Sequence, residues 1–174
     1  RPIIITIPHS STSVPDELKG DMLLAERDLL GYTDLFTDRI YSIPNTYVVK
    51  HDVSLVCMDV NRAPDDYSKE YEGHADGVVI HRTWDGKKIY KREPTHDEME
   101  ALIKKYHDPF HEEVDSYIPA AQFLIDGHSY APIGPPSKPD AGKERPDISL
   151  GNVNYSTCTR EQTVFFREFF VRHG

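Results

Sequence analysis

Short β-branched runs alternate with segments of helical periodicity along this chain, and that alternation limits the fold more than any other feature. Ile3 to Ile7 is an apolar run that ends at Pro8, as a buried strand does. Residues 47–50, 54–58 and 120–125 form three further strand-like runs. Strands that alternate with helices indicate an α/β layer architecture, in which binding sites collect at the carboxyl ends of the strands.

Three segments carry the spacing of amphipathic helices, and turn-forming residues separate the others. We expect helices at about 34–42 and at 160–173, and a long helix over 95–117 that is kinked near Pro109. Thr95 and Glu98 form a capping box at the start of the long helix. The remaining elements are predicted as a loop over 65–76, a small hairpin over 77–90 with Asp85-Gly86 at its turn, a surface loop over 132–146 and a short strand at 147–151.

Composition excludes several classes of partner. The chain has 174 residues, which suits a single domain over 1–174, and its net charge of −9 disfavours nucleic acid and anionic membranes as partners. No apolar run approaches the roughly 20 residues of a membrane-spanning helix. Cys57 and Cys158 are too few for a disulfide framework, so free thiols in the cytoplasm fit best. The helical pattern stops at Gly174, and we expect the protein to continue beyond it.

Histidines and acids follow the predicted strands. His9 and His128 each come just after a strand, while Asp34 and Asp38 lie on the helix predicted after the first strand. Two imidazoles and one carboxylate are ligands that a catalytic zinc commonly takes. The alternative is structural: the histidines bond to backbone groups in turns, and the acids favour the first turn of a helix through its dipole.

Two further groups carry possible chemistry. Asn61 and Arg62 follow a strand-like run, where Arg62 could hold a substrate carboxylate in a bidentate grip. The structural alternative is an internal pair between Asp59 and Arg62. His111 follows His107 and Pro109, so a kinked helix could direct it into a cleft, although a surface position is equally compatible with the sequence.

Seven motifs, taken together, resemble the N-formylglutamate amidohydrolases. Their order and approximate spacing match that family from His9 to Gly151, which is most of the chain. The motifs are Pro8-His9-Ser10, Thr33-Asp34-Leu35-Phe36-Thr37-Asp38, Asp59-Val60-Asn61-Arg62, Thr83-Trp84-Asp85-Gly86, Tyr106-His107-Asp108-Pro109-Phe110-His111, Asp126-Gly127-His128-Ser129 and Pro146-Asp147-Ile148-Ser149-Leu150-Gly151.

The resemblance implies a zinc-dependent amidase that acts on N-formyl-L-glutamate or a similar N-acyl amino acid, a small-molecule substrate. It implies a three-layer αβα fold with a mixed, mostly parallel sheet, related to the zinc carboxypeptidases. Carried over residue by residue, it makes His9, Asp34 and His128 the metal ligands, with Asp38 as the reserve carboxylate. Asn61 and Arg62 would contact the substrate, with Arg62 facing the substrate carboxylate or the developing oxyanion. His111 would line the catalytic cleft.

The chain departs from the family pattern in three places. Ser11 stands where members usually have glycine, and Thr33 stands where they have an acid, so the substrate preference can differ. The family also continues past this point with a Gln-x-Glu type segment, and we expect the general base there, beyond Gly174. Two alternatives follow: a non-catalytic module that binds a carboxylated ligand, and a metal-free acid–base hydrolase that uses His111.

Overall fold

The chain is an α/β protein organised around a small parallel sheet. The computed structural model describes residues 2–67, 69–71, 74–135 and 139–173, with the backbone alone at 69–71 and 74–76. Two compact units make up the chain, Arg1–Tyr130 and Ala131–Gly174. The α/β class expected from the sequence is confirmed, and the single hydrolase domain over 1–174 stays a prediction.

Three strands of the first unit form the sheet: β1 (Ile3–Ile7), β2 (Tyr47–Lys50) and β5 (Phe123–Asp126). Their order in the sheet is β2-β1-β5. Both neighbours run parallel to β1, which places Ile4 opposite Tyr47 on one side and Leu124 on the other. Because β1 is central and Ile4, Ile5 and Ile7 are buried, it anchors the sheet, and all three strands end at the same edge. The predicted strands at 3–7 and 47–50 are therefore present, and the strand predicted at 120–125 is shifted to Phe123–Asp126, because a 3₁₀ turn occupies residues up to Ala120.

The other elements of the first unit are short. They are α1 (Asp16–Lys19), α2 (Glu26–Leu30), α3 (Thr37–Ile40), the antiparallel pair β3 (Lys69–Tyr71) and β4 (His74–Asp76), α4 (His96–Leu102), a π-helical turn (Ile103–His107), α5 (Asp108–Tyr117) and a 3₁₀ turn (Ile118–Ala120). Helix α5 packs on β1 and β2. Among the residues that the structure describes, no helix combines the length and apolar character that a membrane crossing requires.

The helical segment predicted over 95–117 is interrupted by a π-helical turn shortly before Pro109. Thr95 caps α4 by accepting a hydrogen bond from the Glu98 amide, and the Glu98 side chain bonds back to Thr95. The π turn follows α4, with the Asp108 amide donating to the Ile103 carbonyl five residues earlier. Proline has no amide hydrogen, so a regular helix would lose its hydrogen bond at Pro109. The chain adopts the wider turn immediately before that proline.

Several sequence predictions are wrong in the first unit. The helix expected over 34–42 is confined to α3, because Phe36 adopts a left-handed φ of 66° that no helix continues through. The apolar run 54–58 is a buried turn, in which the Ser54 carbonyl accepts hydrogen bonds from the amides of Cys57 and Met58. Periodicity alone does not separate a buried turn from a buried strand.

The region between residues 65 and 90 also differs from expectation. The expected loop over 65–76 contains β3 and β4. In the expected hairpin, the turn is present, since the Gly86 amide donates to the Thr83 carbonyl and Gly86 has a φ of 83°. Its strands are reduced to one bridge between Arg82 and Lys88. The turn residues correctly predict the reversal of the chain at Asp85-Gly86, but not how few residues of the flanking segments pair as strands.

In its described residues, the second unit consists of a turn-rich segment and one helix. Helix α6 (Arg160–His173) has the bounds that its aromatic periodicity predicts. Bridges join Ile133 to Glu144 and Gly134 to Ala141 within the predicted loop over 132–146, of which residues 136–138 lie outside the described part. The strand predicted at 147–151 is absent from this described segment, where the backbone is irregular.

His51 is buried, although the sequence suggests a surface or loop position. Its side chain follows β2, is 4% exposed and packs edge-on against Phe110, with ring centroids 5.7 Å apart. Neither ring nitrogen has a hydrogen-bond partner within the described residues. Burial lowers the pKa of His51 to about 4, and nearby His9 acts in the same direction. His51 is therefore neutral in the folded protein at pH 7.

This buried imidazole predicts a loss of stability in acid. In the unfolded chain His51 titrates near 6.5, so between pH 6.5 and 4 the unfolded state binds a proton that the folded state does not. The free energy of unfolding should therefore fall by about 2 kcal/mol more in the natural protein than in His51→Leu between pH 7 and pH 5. Urea unfolding at both pH values measures this, with exposed His96→Leu as the control. Equal pH dependence in the natural protein and His51→Leu would contradict it.

Candidate metal centre

The carboxyl ends of β1 and β5 bring two histidines together. His9 follows β1 by two residues, and His128 follows β5 by two residues. Because the strands are parallel neighbours, their ends meet, and the imidazole centroids lie 4.9 Å apart. The loop before α3 joins them, since the Asp34 amide donates to the His9 carbonyl at 2.9 Å.

His9, Asp34 and His128 form a cluster with the composition of a metal site. One ligand atom from each lies within 4.8 Å of the other two. Asp34 Oδ2 lies 3.0 Å from His128 Nδ1 and 3.9 Å from His9 Nδ1. The Ser129 amide donates to the same oxygen at 3.2 Å, which fixes the carboxylate. The three residues predicted as ligands from the sequence are thus adjacent, whereas Asp38 is exposed on α3 and does not join them.

Each imidazole of the cluster has a second carboxylate on its outer side. His9 Nε2 lies 3.0 Å from Asp59 Oδ1, and His128 Nε2 lies 2.9 Å from Asp126 Oδ2. Both rings therefore turn Nδ1 towards Asp34 and Nε2 towards a carboxylate. In metal sites this outer hydrogen bond selects the ring tautomer and orients the nitrogen that binds the ion.

The outer carboxylates are themselves held in place. The backbone N–H of Asn61 donates to Asp59 Oδ1 at 2.9 Å, and Thr6 Oγ1 donates to Asp126 Oδ1 at 2.6 Å. Burial is the largest single effect and raises the pKa of both aspartates, but the hydrogen bonds and positive charges around them together outweigh it. The strongest of these lowering effects is the hydrogen bond from His9 for Asp59 and that from His128 for Asp126. Both pKa values are therefore lower than usual, and both aspartates are ionised at neutral pH.

Two carboxylates act on His128. Hydrogen bonds to Asp126 and then to Asp34 raise the pKa of His128 to about 10, against the opposing effect of burial. A cation that bound Nδ1 would have to displace a proton, as metals generally do at histidine sites. The donor set, two nitrogens and one carboxylate oxygen with outer carboxylates behind both rings, fits a divalent ion such as zinc.

The close approach of two loops depends on a glycine beside His128. A Cβ at Gly127 would lie 2.7 Å from the ring of Tyr41, nearer than carbon atoms pack. The Tyr41 hydroxyl donates to the His128 carbonyl at 3.1 Å. The absent side chain of Gly127 thus lets Tyr41 cover the backbone that carries His128.

The remaining predicted site residues lie at the edge of the cluster. Arg62 Nε lies 3.4 Å from Asp59 Oδ2, and its side chain is 41% exposed, so the internal pair and a solvent-accessible guanidinium coexist. Asn61 Nδ2 donates to Asp126 Oδ2 at 2.6 Å. His111 Nε2 donates to the Val60 carbonyl at 2.8 Å, and its place in a catalytic cleft stays a prediction.

Sequence reasoning missed the pairing of Asp59 and Asp126 with the two imidazoles. Asp126 was visible as the last residue of a strand two positions before His128, but a strand residue at that spacing has many possible partners. For Asp59, the sequence spacing indicates only a pair with Arg62, three residues later. A rule that looks for an acid near each candidate histidine ligand could have found Asp126, since such carboxylates commonly accompany metal-bound histidine.

Fold and site together define an α/β protein with a His-Asp-His cluster at the carboxyl ends of parallel strands. A family model described as N-formylglutamate amidohydrolase matches residues 1–174. The chain belongs to the N-formylglutamate amidohydrolase family.

The fold is also similar to that of a solved structure. The crystal structure of N-formylglutamate amidohydrolase from Ralstonia eutropha JMP134 is 22% identical, with a TM-score of 0.60. The match covers 74% of this chain and 54% of that one, so the chain spans about half the length of that structure. At this identity the likeness concerns the fold. No curated protein matches the sequence.

Proposed function

We propose that the protein is a metal-dependent amidohydrolase that cleaves the amide of N-formyl-L-glutamate or a related N-acyl amino acid. The observation that carries the proposal is the orientation of His9 and His128, whose Nδ1 atoms face Asp34 while each Nε2 contacts its own carboxylate. Family membership supplies the reaction class. The zinc-carboxypeptidase-like arrangement and the cytoplasmic location expected from the sequence belong to the same proposal.

His9, Asp34 and His128 would hold the ion. When bound, zinc supplies a Lewis acid that polarises the acyl carbonyl and lowers the pKa of a water molecule. Asp59 and Asp126 keep the two imidazoles oriented, and their negative charges strengthen the rings as ligands. Neither aspartate needs to move during the reaction, because hydrogen bonds from Asn61 and Thr6 hold them.

Arg62 would bind the substrate carboxylate. Its exposed guanidinium lies beside Asp59, which contacts His9, so a carboxylate on Arg62 would place the neighbouring amide near the cluster. The planar guanidinium can form two parallel hydrogen bonds with a carboxylate. The ion pair with Asp59 partly neutralises the charge of Arg62 and limits how far the Arg62 side chain moves.

Two measurements on the purified protein test the proposal together. Elemental analysis should find about one zinc per chain, and N-formyl-L-glutamate should be hydrolysed, with release of formate. Formamide, which lacks the amino-acid carboxylate, should be a far poorer substrate. A protein that binds N-formyl-L-glutamate without cleaving it, at full metal occupancy, would instead be a binding module for carboxylated ligands.

Arg62→Lys is expected to raise KM for N-formyl-L-glutamate by about tenfold with little change in kcat. Lysine keeps the positive charge but loses the two-pronged hydrogen bonding, and a contact made equally in ground and transition state appears in KM. Steady-state kinetics measures this, with Arg39→Lys, on exposed α3, as the matched control. An unchanged KM with a lower Tm would assign Arg62 to the structural pair with Asp59.

A further inference from the structure

Two histidines outside the cluster contact the loop that borders it. His107 ends the π turn, His111 lies one helical turn later on α5, and their ring centroids are 4.4 Å apart. His107 is buried and His111 is half-buried. Wide turns of this kind within α-helices often occur at functional sites. The mechanism proposed above uses neither residue.

Both rings bond to backbone carbonyls on either side of one residue. His107 Nε2 lies 2.9 Å from the Arg62 carbonyl, and His111 Nε2 lies 2.8 Å from the Val60 carbonyl. A carbonyl oxygen only accepts, so both Nε2 atoms carry a proton and donate. The two imidazoles therefore hold the loop at two points, with Asn61 between them.

Asn61 connects this loop to the candidate metal centre. Its side-chain Nδ2 donates to Asp126 Oδ2 at 2.6 Å and lies 3.0 Å from His128 Nε2. Asp126 Oδ2 is also the oxygen that accepts from His128. Any shift of the loop thus changes a hydrogen bond to the carboxylate that orients His128.

We propose that His107 and His111 are positioning residues. They hold the Val60–Arg62 backbone so that the side-chain amide of Asn61 keeps its hydrogen bond to Asp126. The catalytic consequence rests on the proposed function, whereas the effect on the loop does not. His111 then acts through Asn61 rather than in proton transfer. Leucine at either position would leave a loop carbonyl without its donor, while glutamine at 111 can place an N–H close to the position of Nε2.

Hydrogen exchange of the whole protein, followed by mass spectrometry, tests the effect on the loop. The reporters are two loop amides: that of Asn61 donates to Asp59 Oδ1, and that of Arg62 to the Asp59 carbonyl. His111→Leu should speed their exchange by at least about tenfold, and His111→Gln should stay close to the natural protein. His96→Leu, an exposed histidine on α4, is the control. Unchanged exchange in folded His111→Leu, or the same acceleration in both His111 variants, would overturn the proposal.

His107→Leu provides a second test of the same loop amides, with its fold checked by circular dichroism.

A double-mutant cycle tests the effect on activity. Alone, His111→Leu should lower kcat for N-formyl-L-glutamate about tenfold at unchanged zinc content, because misplacement of a supporting group by a fraction of an ångström affects the reacting geometry. In the Asn61→Ala background it should have almost no further effect, since its influence passes through Asn61. Effects that multiply would overturn the proposal. If the natural protein neither binds zinc nor hydrolyses amides, the proposed function fails, and hydrogen exchange still decides the role of the two histidines.

Discussion

His128→Ala should lose most of the bound zinc and lower kcat/KM for N-formyl-L-glutamate by at least about a thousandfold. The substitution removes one of the three candidate ligands and leaves Asp34 and Asp126 facing each other without the imidazole that separates them. With two ligands left, the ion is held weakly, and the stabilisation of developing charge that it supplies is lost. Elemental analysis after dialysis and steady-state kinetics measure the two effects.

His96→Ala is the matched control for that experiment, because His96 is an exposed histidine on α4 that takes no part in the cluster. It should keep both metal and activity. Thermal unfolding of His128→Ala shows whether the chain still folds. A folded His128→Ala protein with full zinc content would remove His128 from the ligand set, and one that retained activity would overturn the proposed mechanism.

Asp126→Asn should weaken zinc binding by about ten- to a hundredfold without removing any ligand. Asparagine has the size of aspartate but no negative charge, and its amide can replace only part of the hydrogen bonding to Thr6, Asn61 and His128. The imidazole becomes a poorer and less firmly oriented ligand. Competition with a chelator of known affinity measures the change.

Asp59→Asn, on the His9 side, should behave in the same way, because Asp59 contacts His9 as Asp126 contacts His128. The control is Asp52→Asn, because Asp52 is exposed and pairs with Lys50. This variant should bind zinc as tightly as the natural protein. If Asp126→Asn and Asp59→Asn both bound zinc as tightly as Asp52→Asn, the outer carboxylates would have no influence on the ion.

The elements that the sequence predicts best are those with a strong local pattern. Ile3–Ile7 is a β-branched run with a proline at its end, and Arg160–His173 has dense aromatic periodicity, so both are found where expected. The approach of His9 to His128 follows from the rule that parallel strands end at one edge. That rule brings the two histidines together only if their strands are neighbours, and the order β2-β1-β5 comes from the structure.

What the sequence does not predict depends on contacts between distant segments. Phe36 adopts a left-handed φ although nothing in its neighbours requires one, so α3 is shorter than its periodicity suggests. The burial of His51 is also not visible in the sequence, because it depends on the packing of Phe110 from α5 against the imidazole. The outer partners of the imidazoles also come from other segments, because Asp59 lies 50 residues from His9. Propensity and spacing do not carry such information.

The central position of β1 has a consequence for how the protein folds. The pairing of β1 with β5 joins Ile3 to Phe123, so a loop of about 120 residues must close before that side of the sheet exists. Contacts between such distant positions form slowly compared with local helices and turns. His9 is synthesised before His128, but the two meet only when β5 pairs with β1. The cluster is therefore a product of completed folding, and a nascent or partly folded chain presents isolated histidines to the metal pool of the cell.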